Sequence, residues 1–337
     1  MNRDILISAI VSTYNSEKFI RGKIEDLLNQ TIISKTEIII VNSGSVQNEE
    51  KIINEYLNSY PNIKYIRTEE RETIYKAWNR GIKIASGKYI TNANTDDRLK
   101  ENAFEILADE LDKNPDVALV HADMCVSDVP NQKFDEVSNS KVEIIPEFDY
   151  LVQLDRCLVF SQPMWRSSLH YKDNIWFKED LKICGDHEFE INISQRYKIK
   201  HLRIPLGVFY LDKNRSNISH NNMLAVREEK LLITKDYIKK YVDSLNAEDL
   251  NHLKNRFVFL TKIPIPILRG INIIRIKLNP HIHRFTHEFV YYFTALLYKK
   301  SGNIKTAVNV CRKLLKIRKS DRVEELLAEL ENFMPKL

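Results

Sequence analysis

Apolar residues follow two alternating spacings along the first part of this chain. A continuous apolar run rich in β-branched residues occupies positions 5–12, and shorter strand-like segments occupy 37–41, 63–66, 87–90 and 117–121. Such runs mark strands covered on both faces, the signature of a parallel sheet. Between them the spacing becomes helical. It does so over 16–30, over 49–60, on the face formed by Ile74, Trp78 and Ile82, and at Phe104, Leu107, Ala108 and Leu111. Ser16 stands at a cap position, Pro61 stops the second helix, and Ser86-Gly87 close the third. Strand and helix alternate five times with short links, which predicts a doubly wound, mostly parallel α/β sheet with right-handed crossovers.

Three polar turns each follow a strand: Thr13 to Asn15, Asn42 to Ser45, and Asn94 to Asp97. In this architecture they share the carboxyl edge of the sheet, where ligands bind. The third turn places two adjacent carboxylates, Asp96 and Asp97, two residues after the Asn94 amide. Oxygen donors of this kind suit Mg²⁺ or Mn²⁺, which in turn suit phosphates. The competing reading is a solvated turn in which Asp96 or Asp97 caps the next helix. Convergence of three turns on one crevice favours the ligand site.

Residues 127–147 are polar and irregular, and 150–158 read as helix. Ser161 to Arg166 reads as a turn carrying exposed aromatic and basic groups. Gly185-Asp186-His187-Glu188 opens a helix, with Asp186 at or near its cap, a role worth about 1 kcal/mol on its own. A last strand is expected at 208–211, followed by a polar loop over 212–222.

After Met223 helical periodicity dominates, so a domain over 1–222 is followed by a helical region over 223–337. A charged helix spans 226–243, and helices over 289–299 and 306–316 meet at Ser301-Gly302-Asn303. Ala295, Leu297, Tyr298, Gly302, Asn303 and Ala307 have the spacing of one tetratricopeptide-like hairpin near 289–317. One copy makes no solenoid, so the hairpin reads as a helical cap or partner surface.

The 337 residues exceed one ordinary domain, and a hydrophobic share of 43% supplies a full core. A net charge of +5 is too mild to demand nucleic acid and fits an anionic ligand. Four dispersed cysteines without a CxxC pair argue against zinc and disulfides and fit a reducing cytoplasm. No GxG fingerprint or P-loop is present, so any phosphate must be held by a metal or by basic side chains. The N-terminus does not read as a signal peptide, and the uncharged run at 289–298 is too short to span a bilayer. The basic, apolar stretch over 256–284 reads as a buried or self-associating helix face, in preference to a peripheral contact with the inner face of a membrane.

Six motifs resemble those of family 2 glycosyltransferases with the GT-A fold, across residues 5–220 or so. They are Val11-Ser12-Thr13-Tyr14-Asn15, Val41-Asn42-Ser43-Gly44-Ser45, Ile74-Tyr75-Lys76-Ala77-Trp78-Asn79-Arg80-Gly81, Ala85-Ser86-Gly87-Lys88-Tyr89-Ile90, Asn94-Thr95-Asp96-Asp97 and Gly185-Asp186-His187-Glu188-Phe189. The resemblance implies transfer of a sugar from a nucleoside diphosphate sugar, a UDP-sugar by preference, to a hydroxyl of a glycan, glycolipid or protein. It implies donor contacts from Thr13, Tyr14, Asn15, Asn42, Ser43, Gly44, Tyr75, Asn79, Asn94, Thr95 and Asp97. It also implies Asp96 as ligand of Mn²⁺ or Mg²⁺ and Asp186 as the base of an inverting displacement. Gln162, Trp165 and Arg166 are expected at the acceptor from position alone. Asn42 and Asn94 stand where the family usually carries Asp, and Tyr210-Leu211-Asp212-Lys213 lacks a His that often ligates the metal. The alternative reading is an inactive sugar-nucleotide-binding or scaffold protein. The C-terminal helices are the expected surface for self-association.

Overall fold

The computed structural model describes residues 4–137, 142–212, 222–262 and 285–333. The chain divides into two compact units: Met1–Phe148 with Leu158–Val226, and Asp149–Cys157 with Arg227–Leu337.

The first unit opens with β1 (Ile7–Thr13), α1 (Glu17–Leu28), β2 (Thr36–Asn42), α2 (Glu49–Leu57), β3 (Ile63–Arg67), α3 (Ile74–Ile82) and β4 (Tyr89–Asn92). These are the alternating elements that the spacing predicts. It continues with β5 (Arg98–Leu99), α4 (Ala103–Lys113), β6 (Val117–Ser127) and β7 (Val142–Glu143). The short α5 (Tyr150–Asp155) belongs to the second unit. The first unit then resumes with β8 (Met164–Arg166), α6 (Ser168–Tyr171), α7 (Gly185–Ser194) and β9 (Lys198–Tyr210).

The strands form one sheet in the order β3-β2-β1-β4-β8-β6-β9-β5, with β7 paired to β6. β3, β2, β1 and β4 run parallel, and β6 is parallel to β9, whereas β8 and β5 are antiparallel to their neighbours. The sheet is thus mostly parallel, with the buried strands β1, β2 and β4 in its parallel part. β1 and β2 are buried on both faces, and α1 and α4 supply Ile20, Ile24, Leu27, Phe104, Leu107 and Leu111 to the core beneath them.

Two expectations fail here. Residues 164–166 do not form an exposed turn: they insert as β8 between β4 and β6. Three residues give no periodicity, and only the waiting edges of β4 and β6 make them a strand. β6 and β9 also run far beyond the expected 117–121 and 208–211, because each pairs with the other along its length.

The second unit adds α8 (Met223–Ser244), α9 (Ala247–Lys262), α10 (His287–Lys300), α11 (Ile304–Leu315) and α12 (Asp321–Asn332). Its core stacks Phe285, Phe289 and Phe293, with ring centroids 5.2 and 5.4 Å apart. α10 and α11 meet at Gly302, whose φ of +76° permits the tight reversal. Residues 263–284, with most of the basic, apolar stretch over 256–284, and residues 213–221, with Lys213, lie outside the described residues. Among the described residues no helix is long and apolar enough to cross a membrane.

Candidate active site

Parallel register aligns the strand ends: Thr13 pairs with Asn42, and Asn42 with Arg67, while the end of β4 lies beside Ile10 of β1. The three polar turns therefore share one edge, as the alternation implies. Thr13 is only 1% exposed, and its Oγ1 has no hydrogen-bond partner. Asn92 Oδ1, at the end of β4, is likewise buried and unpaired. Burying a polar atom unpaired is costly, and two such atoms lie at this one sheet edge.

The turn after β2 is a hydrogen-bonded knot. Asn42 is fully buried, its Oδ1 accepting from Ser45 N at 2.9 Å and its Nδ2 donating to Tyr65 Oη at 3.1 Å. Ser45 Oγ donates to Glu49 Oε2 at 2.7 Å and accepts from Asn15 N at 3.0 Å, tying the turns after β1 and β2 together. Ser43 Oγ accepts from Glu72 N at 2.5 Å. Gly44 has φ +64°, and a side chain there would meet the Glu70 carbonyl carbon at 2.9 Å. That close approach brings Arg71 over Tyr14, its guanidinium 4.2 Å from the ring centroid. Arg71 is absent from the sequence-derived list, because nothing in its local pattern distinguishes it from a loop arginine.

The acidic turn divides its two carboxylates by role. Asp97 Oδ1 accepts from Tyr210 N at 3.0 Å, and its Oδ2 accepts from Asn94 Nδ2 at 3.2 Å and from Ser161 Oγ. Asp97 thus anchors the turn to the end of β9. Burial pushes the Asp96 carboxyl up to about 7, with Asp97 beside it adding to the rise. A carboxyl held this high gains most from a nearby cation. Among the described residues no three His, Cys, Asp or Glu side chains converge into a complete metal cage. One carboxylate completed by phosphate oxygens and water is the pattern of a nucleotide-bound Mg²⁺ or Mn²⁺, and Asp96 fits it.

Beneath the turn lies Lys23, fully buried, with Nζ 2.9 Å from Gln162 Oε1 and 3.3 Å from Asp26 Oδ2. Burial holds its pKa below the usual lysine value. Arg98 Nη1 donates to the carbonyls of Thr95 at 2.8 Å and Asp97 at 2.6 Å, fixing the backbone of the turn. The sequence carried a signal for Lys23: it interrupts an apolar stripe of Ile20, Ile24 and Leu27 on α1.

Asp186 sits in the first turn of α7, where the helix dipole favours an anion. Its Oδ1 accepts from His187 N at 2.8 Å and lies 3.5 Å from Tyr75 Oη. Tyr75 belongs to the first turn of α3, which starts at the carboxyl edge of the sheet. Burial, reinforced by Asp186, holds the Tyr75 phenol well above its ordinary value, so it stays a donor. A side chain at Gly185 would strike the Tyr75 ring at 2.7 Å, so glycine is what lets α7 press against α3.

Four expected contact residues are placed elsewhere. Trp165 is 1% exposed inside a cluster with His170, Phe177 and Phe189, its Nε1 donating to His170 Nε2 at 2.8 Å. Arg166 donates to the carbonyls of Leu111, Asn114 and Val117, stapling β8 to the end of α4. Gln162 is buried against Lys23. Asn79 donates to Phe177 O at 2.8 Å and Glu179 Oε1 at 3.0 Å and accepts from Phe177 N, so its amide pins residues 177–179. For Trp165, Arg166 and Asn79 a strand or helix register, invisible in the motif, sets the direction of the side chain, and for Gln162 the bend entering β8 does so.

Fold and edge together define a GT-A glycosyltransferase architecture. Residues 8–164 match the family described as Glycosyl transferase family 2. The chain is 25% identical over 312 residues to the uncharacterized glycosyltransferase YibD of Escherichia coli K12, covering 89% of this chain and 88% of that one. It is 33% identical over 199 residues to the minor teichoic acid biosynthesis protein GgaB of Bacillus subtilis 168, covering 57% of this chain and 21% of that one. The fold resembles S. aureus TarS 1-349 in complex with UDP-GlcNAc at a TM-score of 0.53 and 17% identity, over 93% of each chain. Residues 8–164 thus form a family 2 glycosyltransferase domain.

Proposed function

We propose that the protein transfers a sugar, with inversion, from a UDP-sugar to a hydroxyl of a glycan, glycolipid or protein precursor. The observation that carries this reading is the division of labour in the acidic turn, where Tyr210 N, Asn94 Nδ2 and Ser161 Oγ occupy the oxygens of Asp97 and none of them bonds Asp96. The likeness to TarS bound to UDP-GlcNAc and to GgaB supports the donor and acceptor classes.

Asp96 would hold Mn²⁺ or Mg²⁺, which when bound neutralises the diphosphate leaving group. Tyr14, sandwiched under Arg71, offers a face to the base. Thr13 Oγ1 and the turn of Asn15, Ser43 and Gly44 face the nucleoside, with the buried Asn42 setting the shape of that turn. Asn94 and Thr95 line the approach to the diphosphate. Asp186 accepts the proton of the acceptor hydroxyl as that oxygen attacks the anomeric carbon and the bond to the diphosphate breaks. Tyr75 orients that carboxylate. Residues 1–222 carry the reaction, and residues 223–337, with the hairpin near 289–317, form the surface for acceptor or self-association.

The test is transfer from UDP-sugars with Mn²⁺, comparing the wild type with Asp96→Ala and Asp186→Asn. Loss of transfer in both, with the fold retained, is the expected result. Full activity in either variant removes the assignment. UDP binding without any turnover in the wild type would instead favour a scaffold role.

A further inference from the structure

A cavity of about 760 Å³ opens between the C-terminal half of α1, the link from β5 into α4, and the loop after β6. None of the proposed donor residues lines it. Its volume falls in the range of ligand pockets. Its polar groups are chiefly side-chain amides and carboxylates: Asn29, Asn102, Asn131, Glu25 and Asp135, with one aromatic ring, Phe134.

Three observations narrow its ligand. The basic side chains Arg98, Lys100 and Lys133 are outnumbered by Glu25, Asp26, Glu101 and Asp135, so the cavity has no excess positive charge to hold a nucleotide or another polyanion. Phe134 is half-buried, packed against Cys125, Val137 and Val208 and therefore rigid. Its ring has the Lys100 ammonium 5.8 Å from its centroid. Asn102 occupies the N-cap of α4 yet makes no capping bond, and its Oδ1 is buried without a partner. An aromatic surface rimmed by planar amides and carboxylates matches a pyranose, which has an apolar face and paired hydroxyls.

The wall is also preformed. Asn131, with φ +60°, donates from Nδ2 to Lys18 O at 3.0 Å and accepts from Arg98 Nη2. The same guanidinium holds the carbonyls of Thr95 and Asp97. The cavity wall and the acidic turn therefore share one side chain.

We propose that this cavity is a second carbohydrate site, taking one or two neutral sugar residues of a glycan with Phe134 as its platform and Asn102 Oδ1 accepting from a hydroxyl. The proposal goes beyond the donor and base assignments and does not depend on them. Saturation-transfer NMR on the full chain tests it, using neutral di- and trisaccharides of the gluco, galacto and N-acetylglucosamine series with UDP and Mg²⁺ at saturation. Transfer to ring protons of at least one probe is expected, undiminished by UDP. It should disappear in Phe134→Ala and weaken in Asn102→Ala and in the exposed variant Asp135→Ala, whose melting temperature should match the wild type. No transfer to any probe, displacement by UDP or by inorganic phosphate, or equal signals in all three variants would each overturn it.

Discussion

Lys23 and Gln162 are 139 residues apart in the chain, yet Nζ and Oε1 meet at 2.9 Å in the interior. One comes from α1, the other from the segment entering β8, and their contact closes the floor beneath Asp96 and Asp97. Asp26, also buried, accepts from Leu99 N at 3.1 Å and so joins this floor to β5. Cation, amide and carboxylate form one network under the acidic turn.

Removing the cation should break that network. Lys23→Met leaves Asp26 without its ammonium partner and Gln162 Oε1 without its donor, and is expected to cost about 1–3 kcal/mol. Denaturant unfolding measures the loss. The double variant Lys23→Met/Asp26→Asn should recover part of it, since no uncompensated charge remains.

Asp96 predicts a pH signature. Its folded pKa of about 7 lies above the ordinary 3.8, so between these values the metal-free fold holds a proton that the unfolded chain releases. Stability is therefore greatest below this window and falls as pH rises through it. Mn²⁺ affinity should move the other way, rising about tenfold per pH unit up to about 7 and levelling above it. Calorimetric titrations at stepped pH measure the affinity, and Asp96→Asn should flatten the stability curve.

Asp186→Asn should lower kcat by about 10²–10⁴-fold while leaving the donor KM and the melting temperature near wild type. The carboxamide keeps the shape of the first turn of α7 and loses only the basic oxygen. A steady-state assay with varied donor separates the two constants.

Gly185→Ala places a methyl 2.7 Å from the Tyr75 ring. Tyr75 is hemmed in by Trp78 and Phe177 at centroid distances of 5.5 and 6.1 Å, so the strain falls on α7. A stability loss of about 1–3 kcal/mol is expected. It should come with a larger fall in kcat than any change in donor KM, because Asp186 shifts while the donor turns do not.

Arg71→Ala removes the guanidinium over Tyr14, a contact worth about 0.5–2 kcal/mol. The Kd for UDP should rise from a few-fold to about thirtyfold. An unchanged Kd would detach Tyr14 from the nucleoside.

The alternation of strands and helices, the shared edge, and the three polar turns were legible because apolar spacing and strand-end turns are local properties. The roles within the acidic turn were not. Asp96 and Asp97 are adjacent and chemically identical, and only the arrival of Tyr210 N and Ser161 Oγ on Asp97 makes that one structural. The same is true of Arg166, which reads as an exposed base and ends up bonded to three backbone carbonyls.

By itself the sequence determined the parallel sheet, its polar edge and the family of the domain in residues 8–164, since runs, periods and motifs survive without knowledge of partners. Tertiary structure alone decided that Met164–Arg166 becomes a strand, that Trp165 and Asn79 turn inward, and that Lys23 supports the acidic turn from below. Each of these depends on groups distant in the chain, and burial and hydrogen bonding assign a side chain its role only after those groups have met.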